Sequence, residues 1–83
     1  MAILDEVKQI LGDVLQLGDR AKELEESTAL LGNIPELDSM AVVSIITAVE
    51  ENYGFIVDDD EIDAEVFETL GNLVVFVEQK VSG

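Results

Sequence analysis

Eighty-three residues suffice for one small domain and leave no room for a second, so residues 1–83 are read as a single domain. Nineteen acids against four bases give a formal net charge of −15, a self-repelling field that excludes nucleic acid as a partner and favours basic protein surfaces. With no cysteine and no histidine, the chain lacks disulfides, a thiolate nucleophile, the commonest general base and the commonest metal ligand; it is not read as an enzyme, and no metal site is expected.

The apolar share is 48% but the aromatic share only 5%, so the core is expected from Val, Ile, Leu and Ala on helices. No apolar run approaches the roughly 18 residues of a membrane span. Met1-Ala2-Ile3-Leu4-Asp5-Glu6 has no basic leader. The expectation is a cytoplasmic monomer.

In chain order, Ile3, Leu4, Val7, Ile10, Leu11, Val14 and Leu15 recur at three- and four-residue steps, the pattern of an amphipathic helix. Gly12 lies inside it at a cost of about 1 kcal/mol relative to alanine. Gly18, just past Leu17, is the expected stop. From Gly18 to Leu37 the periodicity weakens and the composition turns polar. A connection this long needs anchors, and Leu24, Ala29, Leu30, Leu31 and Ile34 are the candidates. Gly32-Asn33 and Ile34-Pro35 read as turns.

The second helix is predicted from Ser39 to about Tyr53. Asp38 is suited to cap it by accepting from the amides of Met40 or Ala41. Leu37 and Val42 have the spacing of a hydrophobic staple. Val42, Ile45, Ile46, Val49 and Tyr53 form one stripe, with Met40, Val43 and Thr47 on another side; a helix this apolar is either enclosed or offers a face to a partner. Gly54 ends it, and Phe55-Ile56-Val57 is expected to close over the bundle as an extended segment.

Asp58-Asp59-Asp60-Glu61 favours a helix N-terminus, so a short helix is predicted from near Asp60 to before Thr69. The same run is no calcium-binding EF-hand: counted from Asp58 or Asp59, neither a glycine at the sixth position nor a glutamate at the twelfth is present. The last helix, from Thr69 or Leu70 to about Val81, offers Leu70, Leu73, Val74, Val77 and Val81 as a core stripe with Phe76 beside it, and Ser82-Gly83 is expected to fray. The predicted fold is all-α: a four-helix bundle of three longer helices and one short one, with a long first loop.

Taken alone, a serine at a helix start is usually a backbone choice. Asp38-Ser39-Met40, however, resembles the Asp-Ser-Leu signature of acyl carrier proteins. Three further matches occur in order: Leu30-Leu31-Gly32, Ala48-Val49-Glu50-Glu51-Asn52-Tyr53-Gly54 and Phe67-Glu68-Thr69-Leu70-Gly71-Asn72-Leu73. Together the likeness spans roughly Ile3 to Val81.

The resemblance implies that Ser39 carries 4'-phosphopantetheine, transferred from coenzyme A by a phosphopantetheinyl transferase, and that acyl groups ride on its thiol as thioesters. Asp38 belongs to the motif and caps the helix. Met40, Val43, Thr47, Glu50 and Glu51 would meet partner enzymes, namely a loading ligase for acyl or aminoacyl groups and acyltransferases or synthases with basic surfaces. Ile45, Ile46, Val49, Val57, Phe67, Leu70 and Leu73 are either a packed core or a pocket that opens to shelter an acyl chain, and the packed core is the favoured alternative.

Fatty-acid carriers commonly place acids two and five positions after the serine, where this chain has Ala41 and Ser44. That departure points to a specialised lipid, polyketide or similar biosynthetic pathway. The alternatives are an aminoacyl or D-alanyl carrier and an acidic interaction module that carries nothing.

Overall fold

The computed structural model describes residues 3–35 and 37–82, with the backbone alone at Asp59. Met1, Ala2, Glu36 in the approach to Ser39, and the supposedly frayed Gly83 lie outside the described residues. Three α-helices carry the fold: α1 (Ile3–Leu15), α2 (Ser39–Tyr53) and α3 (Leu70–Ser82). Two 3₁₀ turns, Gly18–Glu23 and Asp59–Glu61, sit in the connections. The only bridge among the described residues is an isolated antiparallel one between Ala29 and Thr69.

One apolar core joins the elements: Val7, Leu11 and Leu15 of α1, Ile45, Ile46 and Val49 of α2, and Leu70, Leu73, Val74 and Val77 of α3, closed by Leu30 and Phe67 from the connections. No polar or charged side chain is buried among the described residues. Stability therefore rests on apolar area removed from water, roughly 25 cal/mol for each Å².

The long first connection is anchored differently from the pattern expected. Leu24, Leu30 and Ile34 are buried, and so are Leu17 and Leu37, but Ala29 and Leu31 face solvent. Main-chain pairing is the reason: the amides of Leu30 and Leu31 donate to the carbonyls of Glu68 and Phe67, and those of Leu70 and Gly71 donate back to Thr28 and Glu26. Alternation along this extended pairing turns Leu30 inward and its neighbours outward. Gly71 is required here, since a Cβ would lie 2.9 Å from the Glu26 carbonyl oxygen.

Helix α1 stops earlier than the glycine predicted. Gln16 takes the left-handed conformation (φ 54°), and the amide of Leu17 reaches back to the Gly12 carbonyl at 3.0 Å. That is the six-to-one bond of a Schellman stop, with buried Leu17 as its apolar residue beyond the turn. The predicted short helix is the other difference. Only the single 3₁₀ turn Asp59–Glu61 forms, followed by successive turns in which Val66, Phe67 and Glu68 donate to carbonyls three residues back. Val81 is exposed rather than part of the core stripe, and Ser82 is still helical. Ile56 points outward at 78% exposure, while Val57 alone of its segment is buried.

Candidate functional site

Ser39 is the first residue of α2 and is exposed to solvent. Its position is fixed from both sides. Asp38, in an extended conformation, accepts the amide of Ala41 on its carboxylate at 2.8 Å, and its carbonyl takes the amide of Val42 at 2.9 Å. Replacing such a cap by alanine costs about 1 kcal/mol. Leu37, on the other side of the cap, is buried and ties the approach to the core. At its far end α2 closes on Gly54, left-handed at φ 76°, whose amide donates to Glu50. The helix bounds are those predicted from the sequence.

Below Ser39, at helical steps of three, four, seven, eight and eleven, come Val42, Val43, Ile46, Thr47 and Glu50, which share its face of α2. These five residues, with Val57 and Ile62 from the next connection, line a surface groove of about 350 Å³. The exposed hydroxyl thus stands one turn above a groove that runs from Val42 to Glu50 along the same helix face and mixes apolar walls with Thr47 and Glu50. Val42 and Ile62 were not among the site residues read from the sequence. The signals were present: Val42 lies three positions from Ser39, and Ile62 is the one apolar residue between two sets of acids.

The proposed partner face divides into free and engaged residues. Met40 is 76% exposed and Val43 63%, with Thr47 and Glu51 also open to solvent. Glu50 is half-buried, and its carboxylate accepts the amide of Val57 at 2.7 Å. A negative charge in the last turn of a helix opposes the helix dipole by about 0.3 to 1 kcal/mol. At Glu50 this hydrogen bond to a charged acceptor offsets that cost.

Of the residues considered for an acyl pocket, Ile45, Ile46, Val49, Val57, Phe67, Leu70 and Leu73, all are buried in the core cluster. Only Ile46 and Val57 also reach the groove. The remaining five, Ile45, Val49, Phe67, Leu70 and Leu73, are members of the packed core.

The outer wall of the groove is formed by Val57 and Ile62, from the segment 55–62. Lys80, in the last turn of α3, holds it through an ion pair with Glu61 (2.9 and 3.1 Å to its two oxygens). The Lys80 Nζ also lies 6.0 Å from the ring centroid of Phe55, which stacks on Tyr53 with centroids 6.1 Å apart. Glu61 in turn accepts the amide of Asp58 at 3.0 Å. That backbone hydrogen bond, and then Lys80, hold its carboxyl below the ordinary carboxylate value. Tyr53 donates its hydroxyl to Glu6 of α1, and its pKa is pushed up to about 12, chiefly by burial and then by Glu6. Lys80 was missed as a site residue, although it is the only base after Lys22.

Chemically the site is passive. No group of three or more metal-ligating side chains occurs among the described residues, and the chain has neither imidazole nor thiol to activate Ser39. Among the described residues no helix is long and apolar enough to cross a membrane.

Comparison with known proteins bears on the same residues. The sequence profile of a family described as the phosphopantetheine attachment site matches residues 5–77. An acyl carrier protein of Wolinella succinogenes and one of a Sulfurovum species are each 32% identical over 78 residues, which is 94% of this chain and 96% and 97% of theirs. A holo acyl carrier protein of Nitrosomonas europaea, solved in solution by NMR, is 63% identical; the match covers all of both chains with a TM-score of 0.92.

Proposed function

The chain belongs to the phosphopantetheine attachment family of acyl carrier proteins, and from that premise we propose that Ser39 is the residue that bears the arm. As a member it is a carrier and not an enzyme, and its cofactor is covalently bound 4'-phosphopantetheine. When attached, the arm supplies a thiol, the only one on a chain without cysteine. The chain's own residues present the hydroxyl, shelter the load and meet the enzymes. The observation that carries this reading is the exposed Ser39 at the head of the groove, on the helix face it shares with Val42, Val43, Ile46 and Thr47.

The groove also bears on cargo. Its walls are Val42, Val43, Ile46, Thr47, Val57 and Ile62, with a single carboxylate, Glu50, one oxygen of which accepts the amide of Val57. A hydrocarbon chain gains about 0.8 kcal/mol for each methylene it buries against these valines and isoleucines, which supports an acyl load. The exposed apolar pair Met40 and Val43, with Glu51 nearby on the helix, supports docking on transferases and synthases whose surfaces combine an apolar contact with bases.

Ala41 and Ser44 stand where fatty-acid carriers commonly have acids, which supports service in a specialised pathway. The test is loading by a malonyl transferase of general fatty-acid synthesis, with the holo chain and Ala41→Asp/Ser44→Glu compared. Slow loading of the wild-type chain, accelerated in the double variant, is expected. Wild-type loading as fast as that of the enzyme's own carrier overturns the specialised assignment.

A further inference from the structure

We propose that Lys80 is a positioning residue that sets the length of acyl chain the groove shelters, by clamping its outer wall. The inference rests on the reading of the groove given above. The inner wall is α2 and is fixed by its own helical hydrogen bonds and by buried Ile45, Ile46 and Val49. The outer wall is built from Val57 and Ile62, on a connection that has only the single 3₁₀ turn Asp59–Glu61 as regular structure.

That wall is held at few points. Val57 is buried and its amide is tied to Glu50, which fixes the wall near the far end of the groove from Ser39. Beyond it, Ile56 is exposed and Ile62 only half-buried. The Lys80 ammonium joins the two ends of the segment, since it reaches both carboxylate oxygens of Glu61 and approaches the face of Phe55. It does so from α3, a helix anchored by fully buried Leu70, Leu73 and Val77. Lys80 thus pins a loosely built wall to a rigid helix. Lys80 is not among the residues that line the groove, so its effect on a load passes through Glu61 and Phe55.

The consequence is a limit on capacity. With the clamp in place, the wall stays against α2 and the groove keeps its volume of about 350 Å³. Without it, Ile62 is free to swing outward about Val57, and a longer chain enters. Lys80→Met keeps the stem and removes the charge, whereas Lys80→Arg keeps a cation able to pair with Glu61.

The experiment uses the full chain, loaded on its arm with butanoyl, octanoyl or dodecanoyl groups from the corresponding coenzyme A thioesters; intact mass confirms each load and circular dichroism confirms each fold. Amide chemical shifts of Ile46, Val57 and Ile62 report occupancy of the groove, and the gain in melting temperature over the unloaded holo form reports shelter. The wild type is expected to reach a plateau in both at a shorter chain than Lys80→Met, with Lys80→Arg following the wild type. A uniform loss of stability in Lys80→Met, with the plateau at the same chain length, overturns the clamp and leaves the groove standing. If no loaded chain moves Ile46, Val57 or Ile62 even in the wild type, the groove assignment fails, and the clamp with it.

Discussion

Gly12→Ala loses, or reverses, the stabilisation that helix propensity gives it. In an isolated helix the exchange stabilises by about 1 kcal/mol. In this fold, a Cβ on Gly12 would lie 2.9 Å from the Cβ of Ala21, against the 3.5 to 4.0 Å at which carbon atoms pack best. The neighbour is a methyl carried directly on the backbone of the Gly18–Glu23 turn, so it yields only if the turn moves. Overpacking of this kind costs about 1 to 3 kcal/mol, which cancels or exceeds the gain and predicts a net change between neutral and about 2 kcal/mol destabilising. Ala21→Gly in the same chain removes the obstruction. Urea unfolding of the wild type, both single variants and the double variant, followed by circular dichroism, measures a coupling expected at about 1 to 3 kcal/mol. Stabilisation by the full propensity gain in Gly12→Ala alone, with no coupling to Ala21, refutes the close approach of α1 and the turn.

Tyr53 is the chain's single tyrosine, so its ionisation is read directly from ultraviolet absorbance. In the folded protein the midpoint is expected at about 12. It should move to the ordinary value near 10 in urea. Because the folded value is the higher one, the stability this group contributes is complete below pH 10 and is lost as pH rises from about 10 to 12. Glu6→Gln lowers the folded midpoint only in part, since burial is the larger cause. Titration near 10 while helicity is intact contradicts the assignment. Salt addresses the net charge of −15: the melting temperature should rise with ionic strength as the screening length falls from about 10 Å at 0.1 M to about 3 Å at 1 M. A flat or falling dependence removes self-repulsion as a governing term.

Helix α2 was legible from end to end because each of its signals is local: a capping aspartate, a dense apolar run and a glycine free to turn left-handed. So was Ser39, whose exposure follows from its place just inside that cap. The end of α1 was not. Two glycines near its end drew attention, but Gln16 turned the chain because buried Leu17 rewards the turn; the role of Gly12 is to admit Ala21. The acidic run after Val57 looked like a helix start by charge alone. Glu61 instead turns back to the Asp58 amide and across to Lys80, contacts that compete with helical continuation and depend on a partner nineteen residues away. Pairing between the segments around Leu30 and Phe67 is likewise remote in sequence, and it decides why Leu31 faces water. The groove itself needed the fold: its inner wall follows from helical spacing after Ser39, but Ile62 joins it only through the path of the connection.

The most direct test of the account is the intact mass of the unmodified, folded chain before and after incubation with coenzyme A and a broadly acting phosphopantetheinyl transferase, with Ser39→Ala treated in parallel. The account predicts a gain of one phosphopantetheinyl unit in the wild-type chain and none in the variant. A gain in Ser39→Ala, or no gain in the wild type, contradicts the assignment of Ser39 as the bearer of the arm.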